Sequence, residues 1–131
     1  MVLDNNVLIS ALVFRSSNPR RVMELALVGE VRLVSSPPIL NELEEVLVRK
    51  FQRPAPAAHA IVSEFEAIAL VVDPAEGPRG ARDPDDDTLL ATAVGGQASW
   101  IVSGDKDLLA IGSYCGVEIT TAAWFLRLLG H

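Results

Sequence analysis

The stretch Val31-Arg32-Leu33-Val34-Ser35-Ser36-Pro37-Pro38-Ile39-Leu40-Asn41-Glu42-Leu43-Glu44-Glu45-Val46-Leu47 changes its period halfway along. Val31 to Ser35 is a β-rich run and reads as a strand. Ser36 then reads as a helix N-cap, with Pro37 at the first helical position, where the missing N–H would have no intrahelical partner anyway. Ile39, Leu43, Val46 and Leu47 recur at helix spacing, so a helix is predicted from 37 to about 50. A strand that hands over to an amphipathic helix is the building unit of an α/β sheet, and the same hand-over recurs on both sides of this stretch.

Upstream, Met1 to Leu3 is a short apolar run that stops at Asp4 and reads as a buried strand. Residues 6–14 read as a helix carrying Val7, Leu8, Ala11 and Leu12 on one side. Asn18 as N-cap and Pro19 after it open a second helix, through Val22, Leu25, Ala26 and Val28, which Gly29 ends. Downstream, the Pro54-Ala55-Pro56 break precedes a helix through Ile61, Phe65 and Ile68, and Leu70 to Val72 reads as a short strand. Asp73 to Arg82, rich in Pro and Gly, reads as a loop. Asp83-Pro84 opens a helix through Leu89, Leu90, Ala93 and Val94, closed by Gly95-Gly96. Trp100 to Ser103 and Val117 to Ile119 read as strands, and Ala122 to Leu129 as a closing helix. No internal repeat is present. The alternation predicts a three-layer α/β/α sandwich with a mainly parallel central sheet, and 131 residues are the size of one domain.

Composition narrows the function. Half the residues are hydrophobic and 21% are charged, which excludes disorder. A mean hydropathy of +0.31 points to an apolar surface kept for a partner. Cys115 stands alone, so an internal disulfide and a Cys-based zinc site are both excluded; it reads as a buried or half-buried thiol in a reducing cytoplasm. No run of apolar residues is long enough to span a membrane, and the start lacks a basic leader, so a cytoplasmic protein is expected. A net charge of −6 argues against simple charge-driven nucleic-acid binding. It leaves open an enzyme in which a divalent cation bridges carboxylates and phosphates.

Parallel sheets bind ligands beyond the carboxyl ends of their strands. Asp4 ends the first strand, and Asp105 follows the Trp100–Ser103 strand after Gly104. Glu42 lies on the helix that leaves the second strand. Asp86 lies in the first turn of the helix opened by Pro84, whose N-terminus must sit at the same edge because the helix runs against the strand it precedes. Acids distant in sequence are thus expected to meet. Clustered carboxylates repel, and a hard divalent cation such as Mg²⁺ or Mn²⁺ relieves this. Each acid also has an ordinary use. Asp4 could cap the next helix, Glu42 could be a solvated helix acid like Glu44 and Glu45, and the acids after Pro84 could answer the helix dipole. Asp105 and Asp107 could be turn residues.

Four segments resemble the motifs of the PIN-domain nuclease family: Val-Leu-Asp-Asn-Asn-Val-Leu-Ile-Ser-Ala-Leu at 2–12, Ser-Pro-Pro-Ile-Leu-Asn-Glu-Leu-Glu-Glu-Val-Leu at 36–47, Arg-Asp-Pro-Asp-Asp-Asp-Thr-Leu-Leu-Ala-Thr-Ala at 82–93, and Ile-Val-Ser-Gly-Asp-Lys-Asp-Leu-Leu at 101–109. The resemblance covers nearly the whole chain as one PIN-like domain, 1–131, and is greatest to bacterial toxins of toxin–antitoxin pairs (VapC-like). It implies catalytic acids at Asp4, Glu42, Asp86 and Asp105, with Asp4, Asp86 and Asp105 as ligands of Mg²⁺ or Mn²⁺. It further implies cleavage of RNA phosphodiesters, a homodimer, and an antitoxin that blocks the site. Asn5 stands where the family more often has Thr, and Ser103 where Thr is usual. Asp87 competes with Asp86 for the third position; Asp86 places Ala91 and Ala93 at the family's small-residue positions. Asn5, Asn6, Asp87, Ser103 and Asp107 are candidate supporting residues.

Other classes fit less well. A phosphatase with an Asp nucleophile would want a second Asp two residues after the first, where Asn6 stands. A receiver-like domain would want a lysine at a late strand end, whereas Lys106 lies between two acids. A non-catalytic PIN-like binding module would be expected to have lost acids from the quartet, and none is missing.

Overall fold

The computed structural model describes residues 1–75 and 84–131. The expected loop beyond residue 75 and the cap at Asp83 lie outside the described residues. In chain order the elements are β1 (Val2–Leu3), α1 (Asn5–Val13), α2 (Asn18–Leu27), β2 (Leu33–Ser35), α3 (Pro37–Arg49), α4 (Ala55–Ile68) and β3 (Ala69–Val71). They continue with α5 (Pro84–Gly95), β4 (Trp100–Val102), α6 (Lys106–Ile111), β5 (Ser113–Tyr114), β6 (Val117–Thr120) and α7 (Ala122–Leu128).

The strands form one six-stranded sheet in the order β3-β2-β1-β4-β6-β5. Every pairing is parallel except β5 with β6. Val2 lies opposite Val34 on one side and Ile101 on the other, and Leu3 lies opposite Val102. The chain runs outward from β1 to β2 and β3, then returns to β4 on β1's other flank. The β1–β4 junction is therefore the topological switch point, where such sheets open a crevice.

Strand alternation divides the core. Leu3 and Val102 face an apolar layer built from α1, α2, α3, α4 and α7, with Leu8, Val22, Leu43, Phe65 and Phe125 among its buried members. Val2, Val34 and Ile101 face the opposite layer, where Leu89, Leu90 and Ala93 of α5 and Leu108 of α6 pack. Strands covered on both faces read as continuous apolar runs, which is how β1 and β4 read in sequence. The architecture is the expected α/β/α sandwich with a mainly parallel sheet.

The local chemistry departs from the sequence reading in several places. Ser17, not Asn18, caps α2, its hydroxyl accepting from the Arg20 N–H at 3.3 Å. Ser36 holds the cap position of α3 but makes no side-chain cap bond; its hydroxyl meets Thr92 Oγ1 of α5 at 2.8 Å instead. The segment after Asp105 is a helix, α6, followed by β5, neither of which the hydrophobic pattern announces. Cys115 is exposed, not buried: with φ of +49° beside Gly116 at +81°, it forms the positive-φ turn that reverses β5 into β6. Gly95, at the end of α5, sits where a Cβ would come within 2.6 Å of the Asp73 carbonyl oxygen, so that turn requires glycine.

Candidate functional site

The loops at the carboxyl ends of β1 and β4 hold a cavity of about 130 Å³, lined by Asp4, Asn5, Asn6, Ile39, Glu42, Asp86, Thr88, Leu89 and Asp105. Among the described residues, its acids come from four parts of the chain: the end of β1, the second turn of α3, the first turn of α5 and the loop after β4. No Lys or Arg among the described residues lines it. The sheet does the gathering. β1 and β4 are adjacent, α3 departs from the same edge, and α5 begins there because it runs back before entering β4.

Asp4 is held from several directions. Its backbone N–H donates to the Val102 carbonyl at 3.1 Å, continuing the β1–β4 ladder beyond the strands. One carboxylate oxygen accepts from the Asn6 N–H at 3.4 Å as the cap of α1, and the other accepts from the buried Ser103 hydroxyl at 2.8 Å. Burial raises the Asp4 carboxyl above its ordinary 3.8. The bonds from Ser103 and Asn6 pull the other way, and the charge of Asp105 adds a smaller upward push. Repulsion among acids is thus a lesser influence here than loss of water.

Asp105 also has two duties. It lines the cavity, and its Oδ2 accepts from the Leu108 N–H at 3.1 Å as the cap of α6. Its own N–H donates to Ser103 Oγ at 3.0 Å, so one serine hydroxyl fixes both acids. Both are helix caps as well as cavity walls.

Asp86 is buried at 7% exposure and lines the cavity, whereas Asp87 does not. The charge of Asp87 reaches Tyr114 instead; that hydroxyl is raised first by desolvation, then by Cys115, and last by Asp87. Glu42 is half-buried in the wall, while Asp107 is exposed on α6 and outside the cavity. Asn5 is buried and donates from Nδ2 to the Ile39 carbonyl at 3.1 Å, tying α1 to α3, while its Oδ1 is buried without a partner. Asn6 lines the cavity from an exposed position. Thr88 was not singled out from sequence. Its signal was available: it is the polar residue two places after Asp86, in the opening turns of a helix whose start the topology puts at this edge.

Every charged group on the cavity wall, among the described residues, offers oxygen, and this donor set fits a hard divalent cation by its chemistry. Among the described residues, no three His, Cys, Asp or Glu side chains are grouped closely enough to form a ready-made metal cage. The acids share a wall without closing on one point, so the fit is one of ligand chemistry and not of preset geometry.

A doubly wound sheet with acids gathered at its switch point defines a class of α/β proteins that work at the carboxyl edge of the sheet. Within that class the chain belongs to the PIN-domain family, whose pattern matches residues 1–107. PIN domains are generally metal-dependent nucleases, so the family carries a nuclease-type function. Over 115 residues the chain is 28% identical to the uncharacterized protein MJ1680 of Methanocaldococcus jannaschii, covering 85% of this chain and 74% of that one. No helix among the described residues is long and apolar enough to cross a membrane.

Proposed function

We propose that the protein is an endoribonuclease dependent on Mg²⁺ or Mn²⁺, and that it acts as the toxin of a toxin–antitoxin pair. The observation that supports this most is the single cavity walled by Asp4, Glu42, Asp86 and Asp105, in a chain of a nuclease family. Hydrolysis of an RNA phosphodiester adds water across one P–O bond. The water oxygen bonds to phosphorus, the ester bond breaks, and the departing oxygen takes up a proton.

Asp4, Asp86 and Asp105 would hold the cation, which when bound supplies Lewis-acid activation of water and offsets charge on the phosphoryl oxygens. Ser103 aims Asp4 and offsets part of the burial that disfavours its charge, and its second bond, to the Asp105 N–H, fixes the loop that presents Asp105. Glu42, half-buried in the same wall, orients the attacking water and accepts its proton. Asn6 offers an amide N–H₂ to a non-bridging phosphate oxygen, a neutral donor in an otherwise acidic wall.

Cleavage of a labelled RNA panel with Mg²⁺, Mn²⁺ or EDTA tests the enzyme reading. Cleavage with metal, lost in chelator and in Asp4→Asn, is expected; full cleavage in EDTA with metal verified absent would overturn it. The toxin role is tested by expression in a bacterial host. Growth arrest that the small protein encoded beside it relieves supports the role, and a neighbour that neither binds nor relieves arrest counts against it.

A further inference from the structure

A second cavity, of about 290 Å³, opens beside the acidic one and shares Asn6 with it. It is bounded by Asn6, Val7 and Ser10 of α1, Asn18 and Pro19 at the start of α2, Ser103 and Gly104 after β4, and Thr121 to Ala123 at the start of α7. Its character is the reverse of its neighbour's. Among the described residues, no charged side chain lines it. Its walls alternate apolar surface (Val7, Pro19, Ala122, Ala123) with hydroxyls and amides. The side-chain amides of Asn6 and Asn18 and the Ser10 hydroxyl make no side-chain hydrogen bond within the described residues, although Thr121 on the same rim is engaged as a helix cap.

These properties suit a particular ligand. A nucleotide beside a scissile phosphate presents an apolar sugar and base face together with polar edges, and carries its own negative charge. It cannot lie against bare carboxylates. It can lie in an uncharged trough whose amides offer both a donor and an acceptor to a base edge. The trough joins the acidic cavity at Asn6, and Ser103, which holds Asp4, lies at its border. A strand with its phosphate at the acids can therefore pass over Asn6 into this uncharged trough.

We propose that this trough seats one nucleotide of single-stranded RNA flanking the phosphate to be cleaved, with Asn18 as a base-reading residue. The proposal rests on the nuclease reading above. It makes Asn18 and the small side chain at Ala123 determinants of which RNA is cut, apart from the acids that would do the cutting.

Two variants and two substrates test it. Ala123→Leu fills the trough from an exposed helical position where Leu is a good helix former, and Asn18→Ala removes the amide. An oligoribonucleotide needs the flanking subsite, whereas the small diester bis(p-nitrophenyl) phosphate has no nucleotide to place there. Both variants should raise KM for the oligoribonucleotide by about five- to tenfold, the scale of one lost contact. Both should leave metal-dependent hydrolysis of the small diester within about twofold of the parent. Asn18→Ala should also flatten base preference at one position next to the cut in a randomised RNA pool.

A parent protein inert toward both substrates would fail the nuclease reading, and the subsite with it. A parent active on both, with variants that process RNA as the parent does, would overturn the subsite alone. Equal loss on both substrates would make the trough a structural prop of the acidic cavity, and would overturn it too. A change of sedimenting mass in Ala123→Leu with unchanged RNA kinetics would reassign the trough to contact between copies.

Discussion

Asp4 shows how one residue can be both structural and reactive. It caps α1 through the Asn6 N–H, accepts from Ser103, and lines the acidic cavity. Its carboxyl is raised above 3.8 by burial more than by any neighbour. The folded protein therefore holds this proton at pH values where the unfolded chain has released it. Asp4 costs no stability below pH 3.8, costs progressively more as pH rises through the window above that value, and stops adding to the cost once the folded carboxyl has also ionised. Asp4→Asn removes this cost while keeping the shape. In EDTA the variant is expected to be more stable than the parent near neutral pH, by about 1 kcal/mol, and the advantage should shrink toward pH 4. Thermal melts at two pH values measure it; a variant less stable at neutral pH would mean that the cap and the Ser103 bond need a carboxylate. Ser103→Ala should act oppositely. It strips the donor from Asp4 and the acceptor from the Asp105 N–H, and is expected to cost about 1–3 kcal/mol and to cut nuclease activity strongly; denaturant melts and RNA cleavage check both. The choice between Asp86 and Asp87 was nearly legible in sequence. Asp86 lies three, four and seven residues before Leu89, Leu90 and Ala93, all buried against the sheet, so it shares their face. Asp87 is turned about 100° away, one residue step along a helix of 3.6 residues per turn.

Among elements, the contact between α3 and α5 matters most for the cavity, because these helices bring Glu42 and Asp86. A buried hydroxyl chain links them. Thr92 Oγ1 donates back to the Thr88 carbonyl at 2.8 Å, which leaves Ser36 Oγ to donate to Thr92 at 2.8 Å. Ser36 and Thr92 are both fully buried. This is why the Ser36 side chain does not cap α3 as its sequence position suggests: a tertiary partner outcompetes the local one. Thr92→Val keeps the volume and leaves the Ser36 hydroxyl without an acceptor, an expected loss of about 1–3 kcal/mol measurable by urea unfolding. Thr92→Ser, which restores the hydroxyl, should recover much of it. The strand–helix alternation was readable because β1, β2 and β4 are short apolar runs next to clear helix starts. Helix α6 was not, because it spans only Lys106–Ile111 and its start signal, the Asp105 cap, doubles as a candidate site residue. Strand β5 has two residues and no apolar run to mark it.

At the scale of the whole molecule, large apolar side chains remain on the surface. Leu27 and Val28 at the end of α2 are 54% and 71% exposed, and Trp124 and Leu128 of α7 are 53% and 51% exposed. Helices α2 and α7 pack on each other, so these side chains belong to neighbouring elements on one flank. Four large apolar groups left open on two adjoining helices are a candidate contact surface, and a homodimer through them is proposed. Electrostatics oppose it. Each copy carries −6, so pairing brings like charges together, and added salt should screen that repulsion while leaving apolar burial intact. Sedimentation at micromolar concentration is therefore expected to give a species of twice 14.1 kDa, with tighter association at higher salt. Val28→Glu adds a further charge to the flank at a site where the monomer buries little, so its melting temperature at low concentration should match the parent's while the dimer dissociates. Association that weakens with salt would mean that polar contacts hold the copies together. A Val28→Glu protein that remains dimeric would move the interface to another face.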